Sequence, residues 1–218
     1  MIHDPSRSRI VIRSALLAAA AVTTTVAAQS LGAQSKDPPK RVAASSFATV
    51  EVHLNARPIG RQWYEEDAAL TGPSRIAITY SQPHARGRKI IGGLIPTDTV
   101  WRFGANIATT LHTDLDISVG SLAIPRGDYT LFLLHSANNS WQLIVNSQTA
   151  QWGTDYNRAK DFGRVTLAAK EMRDNEETFT IYLVPDAPNP ASGYANLGGI
   201  LRIRWGTTEL SAPWTIKQ

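Results

Sequence analysis

The chain has 218 residues, 43% hydrophobic and 18% charged, with a formal net charge of +4 and no cysteine. That length suits one domain with attachments, and the apolar content excludes a disordered chain. The modest charge argues against nucleic acid as a partner, since its binders carry a basic patch, and the missing thiols exclude disulfides and cysteine-linked lipid anchors.

No fixed-period repeat is visible, which sets aside solenoids and propellers. At the N-terminus, Arg7, Arg9 and Arg13 precede an apolar, small-residue run over 14–28. Val26 and Ala28 occupy the outer and inner small-residue places of a signal cleavage site. The sequence therefore predicts an export signal over 1–28 cut after Ala28, with a cut after Ala33 as the alternative. The run is short for a membrane span, and an uncleaved anchor is the competing reading. No adjacent Arg pair occurs, which favours the general secretory route. The predicted destination is the periplasm or the exterior, and membrane contact is expected only through the signal before cleavage. Residues 1–28 hold three Arg and one Asp, leaving the remainder near +2. Residues 29–45, with Pro38-Pro39, read as a flexible tether, and 46–218 as a single domain.

Within that domain, 47–54 alternates as a strand, with Ala48, Val50, Val52 and Leu54 on one face. The segment 63–70 reads as a short helical turn or an excursion, and its acids Glu65, Glu66 and Asp67 as a solvated face. A strand is expected over 75–80, ended by Pro83, and a second over 89–95 with a bulge at Gly92-Gly93. The run 110–119 alternates as one strand. Leu111, Thr113, Leu115, Ile117 and Val119 lie on one side, and His112, Asp114 and Asp116 on the other. Strands over 128–135 and 140–146 form a hairpin about Asn138-Asn139. A loop follows over 149–161. Further strands are expected over 163–169, 178–184, 200–205 and 210–216, the last an edge strand because of Pro213. Eight to ten short strands and little helix predict an all-β fold, an antiparallel β-sandwich or jelly-roll-like barrel.

Chemistry-bearing residues concentrate in 81–110, which holds Arg86, Arg88 and Arg102, Trp101, Asn106, four Gly and two Pro. The guanidinium forks suit carboxylate, sulfate or phosphate. Trp101 and Trp152 can stack a ring, and Asn106 offers donor and acceptor groups. The competing reading pairs the arginines with Asp98, Asp116 or Asp161 and places the Trp side chains in the core. His112, Asp114 and Asp116 share a strand face and are a weak metal-ligand alternative to a wet sheet face. No nucleophile elbow, zinc motif or phosphate loop is present, and no cofactor is expected.

Gln82-Pro83, Gly87-Arg88, Gly93, Pro96, the run 101–106 (Trp-Arg-Phe-Gly-Ala-Asn) and Ala108-Thr109 together resemble the signature of an exported bacterial family, domain of unknown function 2911. The resemblance continues through Pro125, Gly127, Tyr129, Trp141, Asn146, Trp152-Gly153, Tyr156, Asp161 and Arg164, and spans roughly 74–205. It departs at Gln82, where the pattern has Arg, and at Ile107, where it has Glu. It implies an exported protein and no particular reaction.

The leading expectation is a protein that binds a small polar or anionic ligand or an envelope component. Arg86, Arg88, Trp101, Arg102 and Asn106 would line one side of the site, with Trp152, Tyr156, Asp161 and Arg164 opposite. Two alternatives stand beside it. One is a hydrolase of envelope or extracellular polymers using His112, Asp114, Asp116 or Asp161. The other is a purely structural envelope module. Whether the protein is an enzyme stays open on the sequence.

Overall fold

A computed structural model of the chain describes residues 44–54, 56–59, 62–66, 74–187 and 198–217, with strand pairing alone for 56–59 and 62–66. The expected export signal, the tether up to residue 43, the side chains of Glu65 and Glu66, and residues 67–70 lie outside the described residues. The architecture is antiparallel β, and no α-helix occurs among the described residues. The strands are β1 (Ser46–His53), β2 (Ala56–Ile59), β3 (Gln62–Glu66), β4 (Arg75–Gln82), β5 (Val100–Trp101), β6 (Thr109–Thr113), β7 (Ile117–Val119), β8 (Leu122–Ile124), β9 (Gly127–His135), β10 (Trp141–Asn146), β11 (Asp161–Pro185) and β12 (Gly198–Ile216). Ten form one sheet in the order β1-β4-β6-β9-β10-β11-β12-β7-β8, with β5 beside β9, while β2 and β3 pair only with each other. The end strands β1 and β8 do not pair, so the all-β fold is a sandwich and not a closed barrel.

The sheet folds over through β11. This strand pairs with β10 up to Leu167 and with β12 from Ala168 onward. Glu171 to Thr180 on β11 runs opposite the much shorter Thr208 to Arg204 on β12, through two register shifts. Surplus residues on one strand bend a ribbon and increase its twist. β12 answers with its own irregularity. Leu201, Ile203 and Trp205 face the core, and so do Leu210, Ala212 and Trp214. That change from odd to even numbers needs one extra residue, and Gly206 lies in the interval with φ +60. A Cβ there would also meet Ile90 Cδ1 at 2.7 Å.

Several expected elements are redrawn. The strand expected over 89–95 is a compact turn. Its Leu94 and Ile95 N–H groups donate to the Lys89 and Ile90 carbonyls at 3.0 and 2.8 Å. Its apolar residues still reach the core, which is why the run mimicked a strand. The single strand expected over 110–119 is β6 and β7, joined by a corner at 114–116. The chain changes layer there and keeps Leu111, Thr113, Ile117 and Val119 turned inward. Gln62–Glu66 is a strand where a helical turn or excursion was expected. The strands expected over 163–169 and 178–184 are both parts of β11, and those over 200–205 and 210–216 are both parts of β12. Pro213 is not on an edge strand. It falls where β12 exchanges β11 for β7, between Ser211 and Trp214, and its missing N–H is not needed at that switch.

The core is closed by aromatic rings around Phe179. Its ring meets Trp101, Phe103, Trp205 and Tyr80 at centroid distances of 5.3, 5.4, 5.7 and 5.8 Å, each edge to face. These neighbours come from β5, the loop after it, β12 and β4. Trp101 also stacks on Trp205 at 5.7 Å. Edge-to-face pairs each add about 0.5–1.5 kcal/mol beyond area burial. Phe179→Ala should therefore cost at least about 3–5 kcal/mol in equilibrium denaturation. A loss below about 1 kcal/mol would show that the ring is not the hub of the core.

Candidate functional site

The segment 102–108 is forced out of the sheet by register. β6 borders β9 as far as Thr109 opposite Leu131, and β5 borders it again from Trp101 opposite Leu133. The residues between Trp101 and Thr109 must leave and return across the space of one residue on β9. The loop does so with Phe103 and Asn106 in the left-handed region, at φ 51 and 57. Asn adopts that region readily, but at Phe103 it costs about 1–2 kcal/mol, so the surroundings must hold Phe103 there. Phe103 is fully buried in the aromatic cluster. The Thr109 hydroxyl donates to the Phe103 carbonyl at 2.6 Å, and the Ala105 N–H donates to Ser81 O at 3.2 Å.

A second loop, 147–160, comes alongside. Ile107 and Trp152 form an antiparallel bridge. The Ala108 N–H donates to Gln151 O at 3.3 Å, and the Gly153 N–H to Asn106 O at 2.9 Å. A Cβ at Gly153 would lie 2.6 Å from Asn106 O and 2.9 Å from Arg102 Cδ. Only glycine lets the stem of Arg102 lie there. The result is a small open platform. Trp152 is 51% exposed and Ile107 47% exposed. Asn106 is exposed, and Arg102 is half-buried, its Nε–H donating to Gly104 O at 3.3 Å.

The second loop is pinned by a polar bracket. Tyr156 donates its hydroxyl to Asp161 Oδ2 at 2.7 Å and receives Arg164 Nη2 at 3.1 Å. Arg164 also donates to Asp161 Oδ2 at 2.8 Å. Asn146, fully buried, donates to Asp161 Oδ1 at 3.0 Å and to Asn157 O at 2.9 Å. Burial, then the hydrogen bond to Asp161, pushes the Tyr156 hydroxyl up, so it remains a donor. The Asp161 carboxylate raises the Arg164 guanidinium, and burial opposes it. The Tyr156 ring rests on Phe132 at 4.9 Å.

The nine site residues expected from the sequence thus fall into four places. Arg102, Asn106 and Trp152 lie on the two adjoining loops of the platform, the Arg102 stem and Asn106 O against Gly153 and Trp152 opposite Ile107. Tyr156, Asp161 and Arg164 form the bracket beneath its second loop. Trp101 is a core residue, not a lining residue, because β5 turns it toward Phe179. Arg86 and Arg88 sit in a separate turn, where the Arg88 N–H donates to Ala85 O and Arg86 and Gly87 have φ 51 and 70. That turn is tied to β11 by the Ala85 N–H to Glu177 O and the Arg86 N–H to Glu177 Oε1. The side chains of Arg86 and Arg88 donate to Ala44 O, Ala85 O and His84 O. Among the described residues, no carboxylate is within ion-pair distance of Arg86, Arg88 or Arg102. Asp98 and Asp116 instead accept the backbone N–H groups of Ala137 and Arg126.

His112 and Asp114 come together, but Asp116 turns away at the corner. The His112 ring lies between Asp128 Oδ1 at 2.7 Å and Asp114 Oδ1 at 2.9 Å. Both ring nitrogens face carboxylates, so neither is free to bind a metal, and no three potential ligands converge among the described residues. Asp128 was not foreseen as a partner; it lies directly opposite His112 in the β6–β9 register. Gln151 was also missed. It is buried, and its Nε2 has no hydrogen-bond partner among the described residues. Two apolar core voids, of about 20 and 10 Å³, are lined mainly by aliphatic and aromatic side chains away from the platform.

A sequence profile described as "Protein of unknown function (DUF2911)" matches residues 65–213. It covers more than half of the chain, and the chain belongs to this family. No curated protein and no solved structure matches it.

The His112 cluster has a pH signature. The hydrogen bond to Asp128 is the main cause raising the imidazole, with desolvation opposing and Asp114 adding to the rise. Burial would raise Asp114, but the Arg75 N–H and His112 bring it below its ordinary value. A raised histidine contributes stability fully below its unfolded value of about 6.5, and loses it as pH climbs through the folded value. His112→Gln should therefore lower Tm more at about pH 6 than at about pH 9. An equal loss at both would show that the charged pair does not act.

Proposed function

We propose that this member of the family is an exported binding protein. Residues 1–28 direct export, 29–45 tether the fold, and 46–218 form one domain. Its site is the platform of Arg102, Asn106 and Trp152, and its ligand is a small polar or anionic molecule or an envelope component. One observation carries this reading. Two adjoining loops, joined by backbone hydrogen bonds, carry a half-exposed indole and a guanidinium that no described carboxylate neutralises. Exposed aromatic and cationic side chains on loops fixed to a rigid scaffold are features of recognition.

The hydrolase reading gains no comparable support. Asp161 is engaged by Arg164 and Tyr156, and Asp114 by His112 and the Arg75 N–H. The structural-module reading accounts for Trp101 and Phe103, which lock the core, but not for the exposure of Trp152.

Tryptophan fluorescence, titrated with sulfate, phosphate, citrate and glucuronate, tests the site. Arg102→Met keeps the aliphatic stem and removes the charge. Asn106→Gly keeps the backbone conformation and removes the amide. Each should weaken the saturable response about tenfold or more, equivalent to about 1.4 kcal/mol, with Tm nearly unchanged. A large fall in Tm for both, with no response to any solute in the wild type, would make the platform structural.

A further inference from the structure

We propose that two copies of the chain associate through β1, edge to edge, so that one antiparallel sheet continues across both molecules. One end of the sheet is guarded and the other is not. At the guarded end β8 has only three residues and is followed at once by Pro125. It is also packed against β11, where a Cβ at Gly163 would lie 2.4 Å from Leu122 Cδ1. Short strands, proline and covering segments are the usual protection of a sheet edge. At the other end β1 runs for eight residues, pairs with β4 without a register shift, and contains no proline and no lysine. Among the described residues, no strand or loop pairs with its outer edge from Phe47 to Val52. Unpaired N–H and C=O groups along such an edge are a template for another strand. The side chains of β1 are incompletely covered as well. Phe47 is 64% exposed, and Ala48, Val50 and Val52 stay half-buried although they pack on the core.

The sequence of β1 suits a second copy of itself. A two-fold axis normal to the sheet gives an isologous contact and keeps every side chain on its own face, so only residues of like parity are opposed. With the axis at Val50, Val50 meets its own copy, and Ala48 meets Val52 of the second copy on the core side. On the outer side Phe47 meets His53, and Thr49 meets Glu51, of the second copy. Glu51 is the one acidic residue of β1. An axis at Glu51 would set the two carboxylates directly opposite each other, which destabilises a strand pair. An axis at Thr49 would set Val52 against Ser46. The register at Val50 avoids both. Charge and area set the strength of the contact. The chain beyond residue 28 is near +2, so repulsion between copies is small. Eight residues at about 3.4 Å each, on an edge about 10 Å deep, cover roughly 270 Å² per copy. A standard stable interface covers about 800 Å² per partner. The dimer is therefore weak and reversible, with a Kd on the order of 0.1 mM.

The chain has no cysteine, so Val50→Cys in the full chain tests the axis directly. Opposed residues of an antiparallel pair have Cα atoms about 4.5–5.5 Å apart, within disulfide reach. Mild oxidation at about 0.1 mM chain should link Val50→Cys into dimers at least about tenfold faster than Ala137→Cys, an exposed position on the β9–β10 turn. Sedimentation of the cysteine-free chain should show a monomer–dimer equilibrium. Val50→Lys repeats a charge across the axis and should weaken the dimer at least about tenfold. Its stem still covers apolar surface, so Tm should change little. Thr49→Lys lies opposite Glu51 of the second copy and should tighten the dimer, a gain lost at high salt. Four results would each overturn the proposal. They are a monomer at about 1 mM, Val50→Cys linking no faster than Ala137→Cys, a dimer unmoved by Val50→Lys, and Thr49→Lys weakening the dimer as strongly as Val50→Lys.

Discussion

The ring of Phe179 is the contact on which the rest of the structure depends. It comes from β11 just beyond the bulged stretch that turns the sheet over. It receives Tyr80 from β4, Trp101 from β5, Phe103 from the loop after β5, and Trp205 from β12. Both layers and the loop of the family pattern therefore meet at one side chain. The backbone follows the same arrangement. The Phe179 N–H donates to Pro83 O at 2.9 Å, and the Ile181 N–H to the Tyr80 hydroxyl at 3.0 Å. The bend in β11 and the placement of 101–106 are thus one constraint and not two.

That constraint divides the Trp-Arg-Phe-Gly-Ala-Asn run into two roles. Trp101 and Phe103 face inward and fix the loop. Arg102 and Asn106 are carried outward, onto the second loop at Gly153. A left-handed Phe103 is tolerable because its ring is anchored by the cluster and its carbonyl by Thr109. The bracket of Asn146, Tyr156, Asp161 and Arg164 does for the second loop what Phe179 does for the first. Both loops are thereby tied to the sheet on which they sit.

Much of the fold is legible in the sequence where one face of a strand is buried. Ile76, Ile78 and Tyr80, or Leu131 and Leu133, alternate cleanly and locate β4 and β9. The sequence is silent where apolar residues are buried without a strand, as in 89–95. It is also silent where strand continues through charge, as between Lys170 and Glu177 in β11, because a solvated ribbon needs no apolar alternation. The platform is half legible. Arg102, Asn106 and Trp152 stand out by type, and the structure places them on two adjoining loops. Arg86 and Arg88 stand out equally, yet belong to a turn on β11, and Trp101 belongs to the core. Those separations follow from long-range register, which residue spacing does not carry. The pairing of His112 with Asp128 is hidden for the same reason.

The central claim is that the exposed half of the family pattern, and not its buried half or the Arg86–Arg88 turn, is the recognition surface. Backbone amide and indole NMR shifts, followed while citrate or glucuronate is added to the chain, test it most directly. The account predicts perturbations confined to 102–108 and 150–153, with the Trp152 indole among the largest. Shifts centred on 84–89, or no shifts at the Trp152 indole while binding occurs elsewhere, would contradict it.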